Sequence, residues 1–563
     1  MVCAVSIYCY PLALPTPLLD PSEGLHAAIS QEMVENGDFV TPRLRGVPFL
    51  DKPSLFFAAQ GLSLATFGMN EAAVRLPGFI FALLGAITTA VLASRLFDRS
   101  TGIVTLLVSL TLVGPLALAQ TAVHDVALVP WTNLLLLCWW EADSSDSMGR
   151  RIGLTLAAAL LVALALLTKG LIGIAIISVG YFLFAVISRR ISLLLVIRFA
   201  AGLVLGALLA SPWFIAMEYR VPGYLHYYFV ERHIGGFTTA SQLHGGEPWY
   251  YYLPIISVGA LPAAIYLLPG LWQTWTDRRE CIRSDATAIL FLLCWLAGGL
   301  FFLSTAGSKL ITYALPLFPS LAILSGYYLK RFLYGELSPQ IDFIFNKMFQ
   351  SSYAMACIAP VIALVAIDLY NGARSPALAY VIALLAGASV FTALILAHRG
   401  NRPAAFAVGS LWFALFFISM MTWPLQTLAE QYSQRSLGRQ LASRAEFPQK
   451  LVVVGNRVAS VTFYLTPEQR RQLKPDQIIT AGPGEVARWS AIPDDWAIAI
   501  TDKALTEAHS PLVRWLADAT PAVGQFHLVE DPQTLVGSHS RPFVHRPASL
   551  LNSASTAGDD KLR

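Results

Sequence analysis

Apolar runs long enough to cross a bilayer recur along the first 425 residues of this 563-residue chain, and that repeat constrains the fold more than any other feature. A bilayer's hydrocarbon core needs roughly 20 apolar residues per helix. The runs lie near 2–18, 72–94, 101–119, 126–141, 152–168, 170–187, 191–213, 250–273, 286–304, 310–329, 353–370, 376–397 and 404–424. Inside lipid the backbone must satisfy its own hydrogen bonds, so each run is predicted to be a helix. Composition agrees: 55% of residues are hydrophobic and only 13% are charged. Soluble domains carry about 25% charged residues, so a water-soluble fold is excluded. The expected fold class is an all-α polytopic membrane protein of about thirteen helices.

Basic residues set the orientation, because cytoplasmic loops collect Lys and Arg. Alternate loops hold Arg95 and Arg99, Arg150 and Arg151, Arg189 and Arg190, then Arg278, Arg279 and Arg283. Lys330, Arg331 and Lys347 follow, then Arg399 and Arg402. The opposite loops face outward, and two of them are long, at 19–71 and 214–249. With thirteen spans the tail is also outside. Its β-like runs, Leu451–Val454 and Ala497–Ile500, predict a small extracytoplasmic α/β domain at 430–545, after a transmembrane domain at 1–425. Residues 546–563 have the Ser/Ala/Asp composition of a disordered tail. The apolar start lacks a basic n-region and a small-residue cleavage site, so it reads as a short first span rather than a signal peptide.

The net charge is +4, with no Lys/Arg run of the kind that binds nucleic acid. Cys3, Cys9, Cys138, Cys281, Cys294 and Cys357 have neither metal-ligand spacing nor a disulfide pattern and read as small apolar helix residues. In the second outer loop His226, His233, His244, Glu231 and Glu247 leave a divalent metal open, but without tight ligand spacing. Its tyrosines suit an interfacial aromatic belt.

Polar residues gather at outer helix ends, where ionisable groups are functional candidates. Asp20 and Glu23 flank Pro21 and Ser22 in the form of a helix capping box, or stand as carboxylates at a cavity mouth. Leu25, Ala28, Ile29 and Met33 mark one face of a short helix, and 53–67 reads as an interfacial helix. Together these form a lid. Asp51-Lys52 is a surface ion pair or a phosphate ligand at headgroup level. Asp125 is a helix-end cap or a site carboxylate, and Lys169 and Lys309 either snorkel or serve the site.

Several of these pieces, in this order, resemble the GT-C membrane glycosyltransferases. The nearest likeness is to the bacterial lipid A aminoarabinose transferases in the protein-mannosyltransferase-like superfamily. They are Pro21-Ser22-Glu23, Ile29–Met33, Gly37-Asp38-Phe39, Asp51-Lys52-Pro53, Leu167–Gly170, Glu247–Pro254 and Ser308–Pro316. The resemblance implies transfer of a sugar from a polyprenyl-phosphate carrier to a lipid, glycan or protein acceptor on the outer face of a bacterial inner membrane. It puts Asp51 and Lys52 near the carrier phosphate or a metal region, Lys309 and Tyr313 near the lipid phosphate, and Asp125 near the catalytic cavity. Lys169 joins the phosphate-binding set as a further cation.

This chain departs from the family pattern at the acidic pair after the proline, where Ser22 replaces an Asp. Leu25-His26 stands for the family's Arg-Tyr, and Gly235-Gly236 for a basic residue before Phe237. The expected replacement carboxylates are Asp125, then Glu23, then Asp20. Ser22 also keeps open a catalytically inactive relative that binds lipid-linked sugar. A transporter would show hydropathy repeats and polar residues at the midplane; here the polar residues sit at one face.

Overall fold

The computed structural model describes residues 16–238, 246–276, 283–371, 374–422, 424–444, 447–454, 459–482, 485, 496–501, 504, 522–523 and 526–530. The expected first span apart from residues 16–18, the loop holding Arg278 and Arg279, His244, and the expected tail 546–563 lie outside them. Two compact units result. The first holds 37–42 and 49–424, and the second holds 15–36, 43–48 and the chain from 425 onward.

The first unit is a multi-pass membrane bundle. Among the described residues seven helices are long and apolar enough to span, or nine if two bent pairs each count once. The bent pairs are Arg99–Ser109 with Val113–Ala119 at 62°, and Tyr252–Gly259 with Ala263–Trp275 at 97°. Fewer helices therefore pass this test than the thirteen read from hydropathy. Three expected spans fall on His124–Asp143, Ile172–Ile187 and Phe318–Leu333, which fall short of it. The fourth missing span is the N-terminal run outside the described residues.

Lipid offers no hydrophobic drive between helices, so small residues and interhelical hydrogen bonds hold them together. The Asn133 amide donates to the hydroxyls of Thr88 at 3.1 Å and Thr89 at 2.9 Å, clasping Glu71–Leu96 to His124–Asp143. Asp143 accepts from both Tyr181 and Arg198 and so ties three helices at one end. The helix expected at 53–67 forms as Leu55–Phe67, with Phe56 and Phe57 buried and Leu62 and Phe67 exposed. Gln60 and Ser63 donate to the carbonyls of Val74 at 3.0 Å and Ala73 at 2.7 Å, which anchors this helix to the next.

In the second unit the strands run in the order 478–481, 450–454, 496–501, 526–530 and 522–523. The first three are parallel and the last two pairings antiparallel. Leu451, Val453, Ala497, Ala499, Phe526 and Leu528 build its core with Leu437 and Leu441. The helix Ser22–Asn36 packs on the turn Ser460–Tyr464 within this unit. The stretch 19–71, expected as one lid, is therefore divided between the two units.

Close helix crossing gives a stability test. A Cβ at Gly298 would lie 2.8 Å from the Gly180 Cα, and one at Gly180 would lie 2.6 Å from the Trp295 Cα. Gly298→Leu should wedge Ile172–Ile187 away from Arg283–Thr305 and cost about 1–3 kcal/mol. A lowered melting temperature in detergent is the expected readout. An unchanged one would mean the crossing tolerates a side chain.

Candidate functional site

The first unit gathers charge at one set of helix ends. Asp51 and Lys52 lie just before the helix Leu55–Phe67. The Asp51 carboxylate accepts from the Tyr227 hydroxyl at 2.6 Å and pairs with the Arg232 guanidinium at 3.0 Å. Tyr227 and Arg232 are five residues apart. On an α-helix they would point about 140° apart, at about 100° per residue. They lie instead on a π-helix, His226–Gly235, whose i to i+5 pattern stacks residues five apart. The same spacing puts the His233 Nδ1 2.6 Å from the Tyr228 carbonyl and the two rings 4.5 Å apart.

Lys52 has no hydrogen-bond or ion-pair partner among the described residues. It feels the cations Arg232 and Lys169 and the carboxylates Asp51 and Asp125. Burial, more than its cationic neighbours, pushes its ammonium down to about 8. Lys169 is engaged: its ammonium pairs with Asp125 and lies 4.3 Å over the Tyr313 ring. Both members of the pair are buried, with Asp125 8% and Lys169 5% exposed. Asp125 sits in the first turn of His124–Asp143, where the helix dipole also favours a carboxylate. Gly170 follows Lys169 at φ +81°, and a Cβ there would run into the Tyr228 hydroxyl and the His233 ring. Glycine is thus required twice over, for the turn and for the close approach.

Lys309 is placed differently from expectation. Its ammonium donates to the carbonyls of Ala306 at 2.6 Å and Glu247 at 3.3 Å, so at most one N–H is left for a phosphate. It serves first to latch two turns together. Tyr252 donates nothing to it and instead accepts from the Leu310 amide at 3.2 Å.

Asp20, Ser22 and Glu23 belong to the second unit. The expected capping role of Asp20 gives way to a longer-range one. Its carboxylate accepts from the amide and the hydroxyl of Ser460. Glu23 is buried and accepts from the Leu19 amide at 2.9 Å, a capping contact one residue out of the expected register. Ser22 is exposed at the helix start. Among the described residues no three His, Cys, Asp or Glu side chains are placed to hold a metal.

Tyr227, Tyr228 and Arg232 stand beside Asp51 and Gly170, although in the sequence they read as belt or loop, and His233 read only as one of several possible metal ligands. The five-residue spacing of Tyr227 with Arg232 and of Tyr228 with His233 was the signal, and it carries meaning only on a π-helix.

Two tests follow from these charges. Removing one partner of a buried ion pair costs about 3–5 kcal/mol, because the other charge is left unpaired. Asp125→Asn and Lys169→Met should each lower the melting temperature strongly, and the double variant should recover part of the loss. Additive losses would mean that the two side chains do not pair.

The second test concerns pH. Burial raises the Asp20 carboxyl to about 7 against the hydrogen bonds from Ser460, which favour its charge. Between its ordinary value near 4 and 7 the folded state therefore holds a proton that the unfolded chain has released. Stability from this group is full below that range and is lost as pH rises through about 7. The melting temperature of Asp20→Asn relative to the parent should rise over the same interval. A constant difference would remove Asp20 as the titrating group.

Comparison with known proteins bears on the fold and the family. The family model described as dolichyl-phosphate-mannose-protein mannosyltransferase matches residues 51–215, a stretch that contains Asp51, Lys52, Asp125 and Lys169. An undecaprenyl phosphate-alpha-4-amino-4-deoxy-L-arabinose arabinosyl transferase of Aeromonas hydrophila is 31% identical over 410 residues, 70% of this chain and 73% of that protein. Its counterpart in Erwinia tasmaniensis is 32% identical over 354 residues, 62% of each chain. The crystal structure of ArnT from Cupriavidus metallidurans bound to undecaprenyl phosphate superposes with a TM-score of 0.72 at 23% identity, covering 96% of this chain and 98% of that one. That likeness speaks for the fold. With a bundle of this architecture and relatives at this identity and coverage, the chain belongs to the GT-C, protein-mannosyltransferase-like family of membrane glycosyltransferases.

Proposed function

We propose that this chain transfers a sugar, of the 4-amino-4-deoxy-L-arabinose class, from undecaprenyl phosphate to a lipid A-type acceptor on the outer face of the bacterial inner membrane. The activity named for its relatives supports this reading. The observation that carries it is Lys52, a cation without a partner among the described residues, set among Arg232, Lys169, Asp51 and Asp125. Three cations against two carboxylates leave one positive charge to be satisfied by an anion.

In this reading the donor phosphate docks against Lys52, with Lys169 and the Tyr313 ring beside it. The acceptor oxygen attacks the anomeric carbon. The bond from that carbon to the phosphate oxygen breaks, and undecaprenyl phosphate leaves with an added negative charge that Lys52 neutralises. A carboxylate takes the proton of the acceptor. Asp125 ranks first for this role, Glu23 second and Asp20 third. Lys169 holds Asp125 oriented until the acceptor arrives. The Asp20 and Glu23 contacts within the second unit support their lower ranks. The proposed frame is thirteen spans over 1–425, with the domain at 430–545 outside.

The direct experiment supplies purified protein with undecaprenyl-phosphate aminoarabinose and lipid A and follows release of free undecaprenyl phosphate. Lys52→Ala should weaken donor binding about tenfold or more, as expected for loss of a charged hydrogen bond. Donor affinity should also fall as pH rises above about 8, where the free lysine loses its proton. Affinity unchanged by Lys52→Ala would remove this lysine from the site. The inactive-relative reading draws on Ser22. It prevails if the parent turns over no donor while Ser22→Asp gains transfer.

A further inference from the structure

At the opposite ends of the spans, three helices of the first unit enclose a second, unassigned groove. His124–Asp143 packs against both Glu71–Leu96 and Met148–Lys169 and forms its floor. The space is about 410 Å³ and is lined by Val91, Leu134, Leu137, Leu154, Ala157 and Leu161. The lining follows helical stripes. Leu134, Leu137, Cys138 and Glu141 fall at i, i+3, i+4 and i+7 on one helix, and Arg150, Leu154, Ala157 and Leu161 at i, i+4, i+7 and i+11 on the next. Val91 and Arg95 form the third wall at i and i+4.

All three stripes change from apolar to charged at the same end. Arg95 and Arg150 reach the mouth with side chains 60% and 56% exposed. Glu141 lies between them, 2.5 Å from Arg150 and 3.9 Å from Arg95. One carboxylate cannot satisfy two guanidinium groups, so the mouth keeps a net positive charge. Arg95 and Arg150 also belong to the basic loops that mark the cytoplasmic face. From Arg150 to Leu161 the helix rises about 16 Å, enough to follow much of one leaflet.

From this geometry we infer that the groove is a binding site for one anionic glycerophospholipid of the cytoplasmic leaflet. An acyl chain lies along the Leu134–Leu137 and Leu154–Leu161 stripes, and the headgroup phosphate takes the fork geometry that Arg95 and Arg150 present. The inferred site goes beyond the proposed transfer reaction, which uses the outer helix ends. A hydrophobic partner helix would want an apolar stripe to its end; the two arginines argue for an anion instead.

The test is native mass spectrometry of the full chain in detergent with equimolar phosphatidylglycerol and phosphatidylcholine carrying the same acyl chains. The parent should retain the anionic lipid about tenfold better, the size of one charged hydrogen bond. Arg95→Gln with Arg150→Gln should abolish the preference. Glu141→Gln should strengthen it, because the competing carboxylate is gone, and no general loss of folding would produce that gain. Ala157→Trp should fill the groove and reduce retention of either lipid. Equal retention of the two lipids by the parent, or a preference that survives the double arginine change, would overturn the site. Should the double variant not fold, Arg95→Gln and Glu141→Gln must still shift the preference in opposite directions, and a shift in the same direction overturns it.

Discussion

Hydrocarbon offers no partner to a charge, so every ionised group in this bundle must either leave the membrane or bring its counter-charge with it. Asp125 and Lys169 take the second course. Their pairing lets a carboxyl and an amine side chain remain almost wholly buried where Met148–Lys169 ends and His124–Asp143 begins. The remaining site is arranged around that pair. Tyr313 lies beneath the ammonium, Gly170 turns the chain away immediately after it, and that turn leaves the space into which Tyr228 and His233 fit. With Lys169 paired to Asp125, Lys52 is a cation without an ion-pair partner among the described residues, and burial makes its charge labile near pH 8.

The π-helix solves a problem of reach. Asp51 lies on a loop and could rotate away from any single partner. Tyr227 and Arg232 grip it together only because a π-turn puts residues five apart on one side. Such turns are less favourable than α-turns and appear where function needs them. Here the turn also fixes His233 against Tyr228, so one irregular segment supports both Asp51 and the Gly170 corner. In the family pattern a basic residue precedes Phe237, where this chain has Gly235 and Gly236. Arg232, a few residues earlier, puts a guanidinium on Asp51.

Hydropathy exposed the bundle because the membrane imposes a length and a polarity that any sequence must respect. Helices as different as Leu193–Arg220 and Ala377–His398 were legible for that reason. The charged site was legible only as single residues at helix ends. Asp51, Lys52, Asp125 and Lys169 could be named from position, but which carboxylate meets which lysine depends on helix order in space. Lys309 looked equivalent to Lys52 in sequence. Two backbone carbonyls, from Ala306 and Glu247, set it apart, and carbonyl directions leave no trace in side-chain pattern. The partner of Asp20 was hidden for a similar reason. A capping box is a local motif, whereas its true partner Ser460 lies 440 positions away.

Ser22 is where local pattern and chemistry separate. An Asp-Glu pair at the start of a buried helix would place two negative charges in adjoining positions, with Asp20 close by. Asp20 already pays for burial with a carboxyl raised to about 7, and Glu23 adds to that rise. A third carboxylate at position 22 would push in the same direction. Serine there avoids the extra repulsion while leaving Glu23 on the Leu19 amide and Asp20 on Ser460. The substitution therefore suits a chain in which Asp20 has become part of the structure of the second unit. That division of labour leaves Asp125, paired with Lys169 in the first unit, as the carboxylate that the proposed transfer would use.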